Sequence, residues 1–355
     1  INTKKIKWYN ISNYNEINES GQTLTNSLDD ILNFSVNESL TSDVEVGSFL
    51  SGGIDSSLIS AIAQQNSKNK LKTFSICFEN EKFNEQEYSR LVADHINSDH
   101  KEYIVNNKDM FDYYEQIPSI YDEPFADSSQ IPTAILSKFA SKDVKVCLTG
   151  DGADELFGGY NRYIFIKKIN IYLKFLPRFA KNNLSNLILK LDYSKLVFLA
   201  NLFNKYLFKN KFIQFEDKIH KFGIMIKNSR NELDMYFNLI EIFNDTQNPA
   251  FNFVNENIFS QKMKRENYFL KDNSNNIEKI MKIDQKTYLT GDILHKVDRA
   301  SMFYSLETRI PFLNSKVVNF SNKLPFNYKI NNFYGKFILR EIAKKYLPNE
   351  IIKRK

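Results

Sequence analysis

The stretch VEVGSFLSGGIDSS, residues 44–57, limits what this chain can fold into more than any other part of it. Val44, Val46, Phe49 and Leu50 make a short β-branched and aromatic run with no charge after Glu45, the pattern of a buried strand. Ser51, Gly52 and Gly53 follow, and Asp55, Ser56 and Ser57 then open the apolar-periodic run LISAIA. The order is strand, glycine turn, helix start. Paired glycines let backbone N–H groups converge with no side chain in the way. Serines at a helix N-terminus add hydroxyl donors beside the positive end of its dipole. Such a turn is a cradle for phosphate. Asp55 is the odd member, because a carboxylate beside a phosphate is repelled unless a cation lies between them; it implies Mg²⁺. The plain alternative is a β-turn with an N-cap, and the flanking strand and helix favour phosphate over it.

No G-x-x-x-x-G-K-[ST] occurs, so the turn is not of Walker type. SGGIDSS instead resembles the PP-loop of the ATP pyrophosphatases, which cut ATP between its α and β phosphates to make an adenylate.

The 355 residues can bury a full core and hold one large or two ordinary domains, and 42% hydrophobic with 25% charged residues is the composition of a soluble globular protein. The net charge of +6 is spread along the chain, which argues a solvated surface and no nucleic acid. Cys77 and Cys147 sit in apolar strand-like runs with no C-x-x-C, as reduced core residues of a cytoplasmic protein would. No apolar run reaches the ~18 residues of a spanning helix. Residues 163–225, rich in Phe, Leu, Tyr, Ile and Lys, read as core-facing amphipathic helices in preference to a membrane-surface helix, so no membrane partner is expected. The chain begins at Ile1 and stops in a basic run, so both ends read as cut.

Residues 1–19, polar and without period, read as a linker or the remnant of an upstream domain. Helical spacing runs from Thr23 to Leu40 and again from Ser56 to Gln65. Strands are expected at Lys72–Phe78, at about Lys101–Val105 and at Val144–Leu148. Helices are expected at Asn84–Ile96, at residues 107–117 and at Ser128–Ser141. Strands alternating with helices argue a doubly wound, mostly parallel α/β sheet, with ligands at the carboxyl ends of its strands. From Tyr160 onward strand signals mostly vanish. The expected division is a nucleotide core over 20–159 and a large helical part over 160–355.

The second motif is TGDGADELFGGYNRY, residues 149–163, where a strand ends in a Gly-x-Gly turn followed by Asp151, Asp154 and Glu155. Clustered acids repel one another unless a cation joins them. An acidic helix N-terminus explains one or two of the three, less well all of them. The third motif, DILHKVDRASM, residues 292–302, carries His295, Lys296, Asp298 and Arg299, which an ion-paired helix face explains equally well. His95, His100 and His220 form no metal-ligand pattern.

Together with YDEPFADSSQIPT and KFILREIAKKYLPNEIIKRK, these motifs occur in the order found in the synthetase domain of asparagine synthetase B, the glutamine-hydrolysing type, and the resemblance covers about 20–355. It implies a ligase that turns ATP and aspartate into β-aspartyl-AMP and pyrophosphate, then asparagine and AMP. The resemblance puts the ATP phosphates on Ser51, Gly52, Gly53, Asp55, Ser56 and Ser57. Adenosine falls to Leu50, Ile76, Thr149 and Gly150, and Mg²⁺ to Asp55 and Asp154. Asp151 takes the place of an acid that assists ammonia attack, where some members have Glu. With Glu155 and Lys355 it makes up the candidate catalytic set. Family members begin with a Cys-initiated glutaminase domain, which this chain lacks, so ammonia would come from a domain outside it. The family also places a pyrophosphate-steadying lysine within an R-x-K-x-G-F pattern. Counted from Leu347-Pro348, Arg354 is that arginine and the lysine is the residue after Lys355, or Lys355 itself after a one-place shift. The expectation is a chain that binds ATP better than it turns it over. An amidotransferase acting on another carboxylate and a non-catalytic nucleotide-binding module are the competing readings; the oligomeric state, a homodimer included, is open.

Overall fold

A computed structural model describes residues 16–19, 21–78, 85–124, 126–190, 215–240, 274–332 and 334–354. Two compact units emerge from the contacts, Ile1–Tyr160 with Met281–Lys355, and Asn161–Ile280.

The first unit is built on five strands, β1 (Val46–Phe49), β2 (Lys72–Phe78), β3 (Asp99–Val105), β4 (Val146–Leu148) and β5 (Glu307–Arg309). Every neighbouring pair is parallel and the order is β3-β2-β1-β4-β5. Parallel neighbours need crossovers. α2 (Ile54–Asn66) joins β1 to β2, and α3 (Gln86–Ile96) joins β2 to β3. α4 (Asn107–Tyr114), α5 (Ile117–Tyr121) and α6 (Gln130–Ala140) lie between β3 and β4. From β1 the chain winds outward to β3 and then returns to β4 on the other side. The switch point between β1 and β4 is where open sheets of this kind bind ligands.

Local sequence explains most of these elements. α1 (Gln22–Leu40) spaces Leu24, Leu28 and Leu32 four apart, with Val36 one turn further, and all four are fully buried. They join Leu58, Ile59 and Ile62 of α2 and Ile338, Leu339 and Ile342 of the helix Phe337–Ala343 in one core. The helix read over residues 107–117 is two pieces. Asn106 caps the first by a reciprocal pair with Asp109, and Pro118 sits in the first turn of the second, where its missing N–H costs nothing. Val44, read as part of the buried strand, is exposed ahead of it.

The contacts divide the chain differently from the expected boundary at residue 160: Met281–Lys355 group with Ile1–Tyr160 and apart from Asn161–Ile280. The cause is β5, which pairs with β4, and Phe312, Val317 and Phe320, which enter the α1–α2 core. After the helix Asn276–Lys286, a π-helical turn, Leu289–Ile293, feeds the helix Leu294–Phe303.

The second unit contains helices Asn161–Leu173, Arg178–Lys190, Phe215–Asn228 and Glu232–Ile240. Ser185 Oγ donates to Gly223 O at 2.7 Å where two of them pack. The apolar residues here are not uniformly core-facing. Tyr163, Ile166 and Leu173 are buried, but Tyr172, Phe175, Phe179 and Leu187 are exposed. No helix among the described residues is long and apolar enough to cross a membrane.

Candidate functional site

β1 ends at Phe49 and α2 begins at Ile54, so Asp55, Ser56 and Ser57 occupy its first turn. Serine hydroxyls hold the turn between them. The Ser51 N–H donates to Ser56 Oγ at 3.2 Å, the Gly53 N–H to Ser51 Oγ at 3.2 Å, and the two hydroxyls meet at 2.9 Å. Across the switch point the Thr149 N–H donates to Arg309 O at 2.9 Å, so β5 sets the height of the Thr149–Asp154 turn. Gly150 lies against the start of α2 so closely that a Cβ would stand 2.6 Å from the Ser56 nitrogen. Only glycine lets the two turns touch there.

The turns open on a cavity of about 530 Å³, within the ordinary range for small-molecule sites. Leu50, Ser51, Gly53, Asp55, Ser56, Ile76, Thr149, Gly150, Asp151, Asp154 and Glu155 all line it. Gly52 and Ser57 do not. Ser57 is fully buried under the turn with its Oγ unpartnered, and the Gly52 carbonyl faces Arg354, whose Nη1 donates to it at 3.1 Å. Lys355 lies outside the described residues.

The electrostatic centre is one the sequence reading missed. Lys336 Nζ lies 2.5 Å from Asp55 Oδ2 and 2.8 Å from Asp154 Oδ1. Two glycines, Gly159 and Gly335, make room for it. A Cβ on Gly159 would fall 2.0 Å from both Asp154 Oδ1 and Lys336 Cε, and one on Gly335 would fall 2.3 Å from Gly158 O. Burial pulls the Lys336 ammonium down, and Asp55 and Asp154 outweigh it and hold the charge firmly on. Burial pushes Asp55 up to about 6 against the pull of Lys336. Asp55 Oδ1 is buried and has no partner. Two carboxylates converge here, one with an unused oxygen. Among the described residues no group of three or more His, Cys, Asp or Glu side chains could hold a metal alone. The pair therefore suits a hard cation whose remaining ligands are phosphate and water oxygens, and the residues fit Mg²⁺ in that sense.

A different cation lines the cavity itself, from the third motif. Lys296 Nζ donates to Asp127 Oδ2 at 2.5 Å and to Ser129 Oγ at 2.7 Å. Burial raises the Asp127 carboxyl, but Lys296 and the two Ser129 donors override it and hold it at about 2. The ion-paired reading of this helix is therefore right for Lys296 and for the exposed Arg299–Asp122 pair. Lys296 nonetheless lines the cavity. Asp151 is pushed up by burial, with Thr149 and Lys296 opposing. Glu155, 1% exposed, accepts from the Tyr160 hydroxyl at 2.7 Å, and burial raises it to about 7.

The sequence matches the family model described as asparagine synthase over residues 27–355. It is 31% identical over 355 residues to asparagine synthetase [glutamine-hydrolyzing] 1 of Bacillus subtilis (strain 168), covering 99% of this chain and 51% of that protein. A putative asparagine synthetase [glutamine-hydrolyzing] of Mycobacterium tuberculosis (strain ATCC 25618 / H37Rv) is 28% identical over 343 residues, covering 95% and 48%. A solved NH3-dependent NAD synthetase from Campylobacter jejuni matches 59% of this chain and 97% of its own at 14% identity. Its TM-score of 0.27 is too low to carry an argument. The chain spans about half the length of the curated relatives it matches. On the match over residues 27–355, the chain belongs to the asparagine synthase family.

Proposed function

We propose that this chain is the amide-forming half of a cytoplasmic, ATP-dependent asparagine synthetase, with ammonia delivered from glutamine by a further domain. The observation that carries it is the meeting of Asp55, Asp154 and Lys336 beside the serine–glycine turn. The phosphates of ATP suit that turn, and adenosine suits the wall made by Leu50, Ile76, Thr149 and Gly150. A β-carboxylate oxygen of aspartate attacks the α-phosphorus, the bond from that phosphorus to the bridging oxygen breaks, and pyrophosphate leaves. The ammonia nitrogen then attacks the acyl carbon, AMP departs with the electrons of the C–O bond, and the nitrogen loses a proton.

The chain's own residues supply charge, orientation and a base. Lys336 stands ready as a donor to the departing pyrophosphate, where positive charge matters most. Asp55 and Asp154 would hold Mg²⁺, which when bound neutralises phosphate charge. Asp151 lines the cavity, half-buried with its carboxyl raised, and would take the proton from nitrogen. The cavity keeps both reactants together. Aspartate-dependent ATP–pyrophosphate exchange and AMP release by the full-length encoded protein test this. Asp55→Asn is expected to lower both by about 10²–10³. Exchange supported by another carboxylic acid and not by aspartate would refute the substrate assignment.

A further inference from the structure

The second unit carries a feature that the amide chemistry does not use. Between residues 161 and 190 there are seven lysines and arginines and no Asp or Glu, against a net charge of +6 for the whole chain. These two helices and the turn between them are therefore strongly basic. At its turn, Phe175 is 77% exposed and Phe179 is 70% exposed, with Tyr172 equally bare one turn back. The helix Arg178–Lys190 buries only Ser185 among its own residues. Beside the turn, Arg178 and Lys181 join Lys227 and Arg230 around a cavity of about 500 Å³. None of these four side chains forms a salt bridge among the described residues. Asp234 Oδ2 accepts from the Arg230 backbone N–H at 3.0 Å and forms no salt bridge with the Arg230 guanidinium.

Four like charges around one concavity repel each other and are stabilised by an anion. Bare aromatic rings beside them cost free energy in water and little at the boundary between lipid headgroups and acyl chains. A free phosphate would satisfy the cations and leave the rings in water. An anionic phospholipid surface satisfies both.

The geometry points to a peripheral lipid-binding site: the turn from Lys174 to Phe179 inserts into an anionic bilayer surface, and the cavity lined by Arg178, Lys181, Lys227 and Arg230 seats a phosphate headgroup. This departs from the sequence reading of the segment as wholly core-facing helices. The occupant is lipid, because charge and apolar area sit side by side on one exposed turn.

Sedimentation of the full-length encoded protein with phosphatidylcholine vesicles, with and without phosphatidylglycerol, tests the site. Binding is expected only with phosphatidylglycerol and is reversed by salt. At about 1 kcal/mol per surface charge, Arg178→Gln with Arg230→Gln weakens it about 30-fold. Phe175→Ser with Phe179→Ser is expected to abolish sedimentation while the circular-dichroism melt stays cooperative. In an independent arm, Phe175→Trp places a reporter at the turn, read as a difference from the parent protein's emission. Its emission is expected to shift to the blue on phosphatidylglycerol vesicles only. Equal binding to both vesicle types, no binding to either, an unshifted reporter, or protection by inorganic phosphate without vesicle binding would each overturn the proposal.

Discussion

Replacing Lys336 with methionine keeps most of its length and removes its charge from between Asp55 and Asp154. The side chains of Lys336, Asp55 and Asp154 are 11%, 17% and 32% exposed, so solvent screens the interaction only in part. Removing one partner of such a buried pair costs about 3–5 kcal/mol, because the remaining carboxylates are left uncompensated. At that size the thermal midpoint falls by roughly 6–15 °C. The deficit depends on pH with a definite sign. Asp55 already sits above its unfolded value, at about 6, so its folded form takes up a proton and stability falls as pH rises from about 4 towards 6. Without Lys336 that carboxyl rises further, and the loss continues above pH 6. Melts at pH 5 and pH 8 are therefore expected to show a small deficit at the first and the full deficit at the second. Adding Asp55→Asn to Lys336→Met is expected to recover stability and not ATP–pyrophosphate exchange, since the positive charge facing pyrophosphate stays lost. A Lys336→Met protein that melts like the parent at pH 8, or a double variant no more stable than the single one, would refute this account of the triad.

Other consequences follow from the same geometry. Gly159→Ala puts a methyl 2.0 Å from Asp154 Oδ1 and Lys336 Cε and is expected to abolish exchange, whereas Gly53→Ala meets only Ser51 Oγ at 3.2 Å and is expected to keep the fold. Tyr160→Phe removes the donor to Glu155 and is expected to destabilise by about 1–3 kcal/mol, read from denaturant melts. Because Glu155 is raised to about 7, its contribution falls as pH climbs from about 4.5 to 7, and Glu155→Gln is expected to flatten that slope. The Lys296–Asp127 pair behaves oppositely: with Asp127 held at about 2, its contribution is complete above pH 4 and lost as pH falls through 2. Lys296→Met is expected to remove it, and Asp127→Asn to restore part of the stability.

What the chain declares by itself is local. The serine–glycine turn is legible because a strand's alternation, a glycine pair and a helix's first residues lie within fourteen positions, and each speaks through its own backbone. The same holds for the acids at Asp151, Asp154 and Glu155, which cluster along the chain as they do in space. Lys336 could not be read this way. It stands 281 residues from Asp55, and a single lysine after Gly335 carries no periodicity. Its sequence signals are its place at the head of KFILREIAKKYLPNEIIKRK and the glycine beside it, the latter intelligible only once Gly158 and Gly159 are seen to press on the same spot. Lys296 and Asp127, 169 residues apart, met for the same reason. β5 is three residues, Glu-Thr-Arg, at a sheet edge, too short and polar to announce itself, yet its Arg309 carbonyl holds the Thr149 amide. Sequence determined which turns could cradle phosphate, since dihedral freedom and side-chain period act between neighbours. Tertiary packing decided which cation sits between them, since Coulomb attraction depends on distance through space and takes no account of separation along the chain.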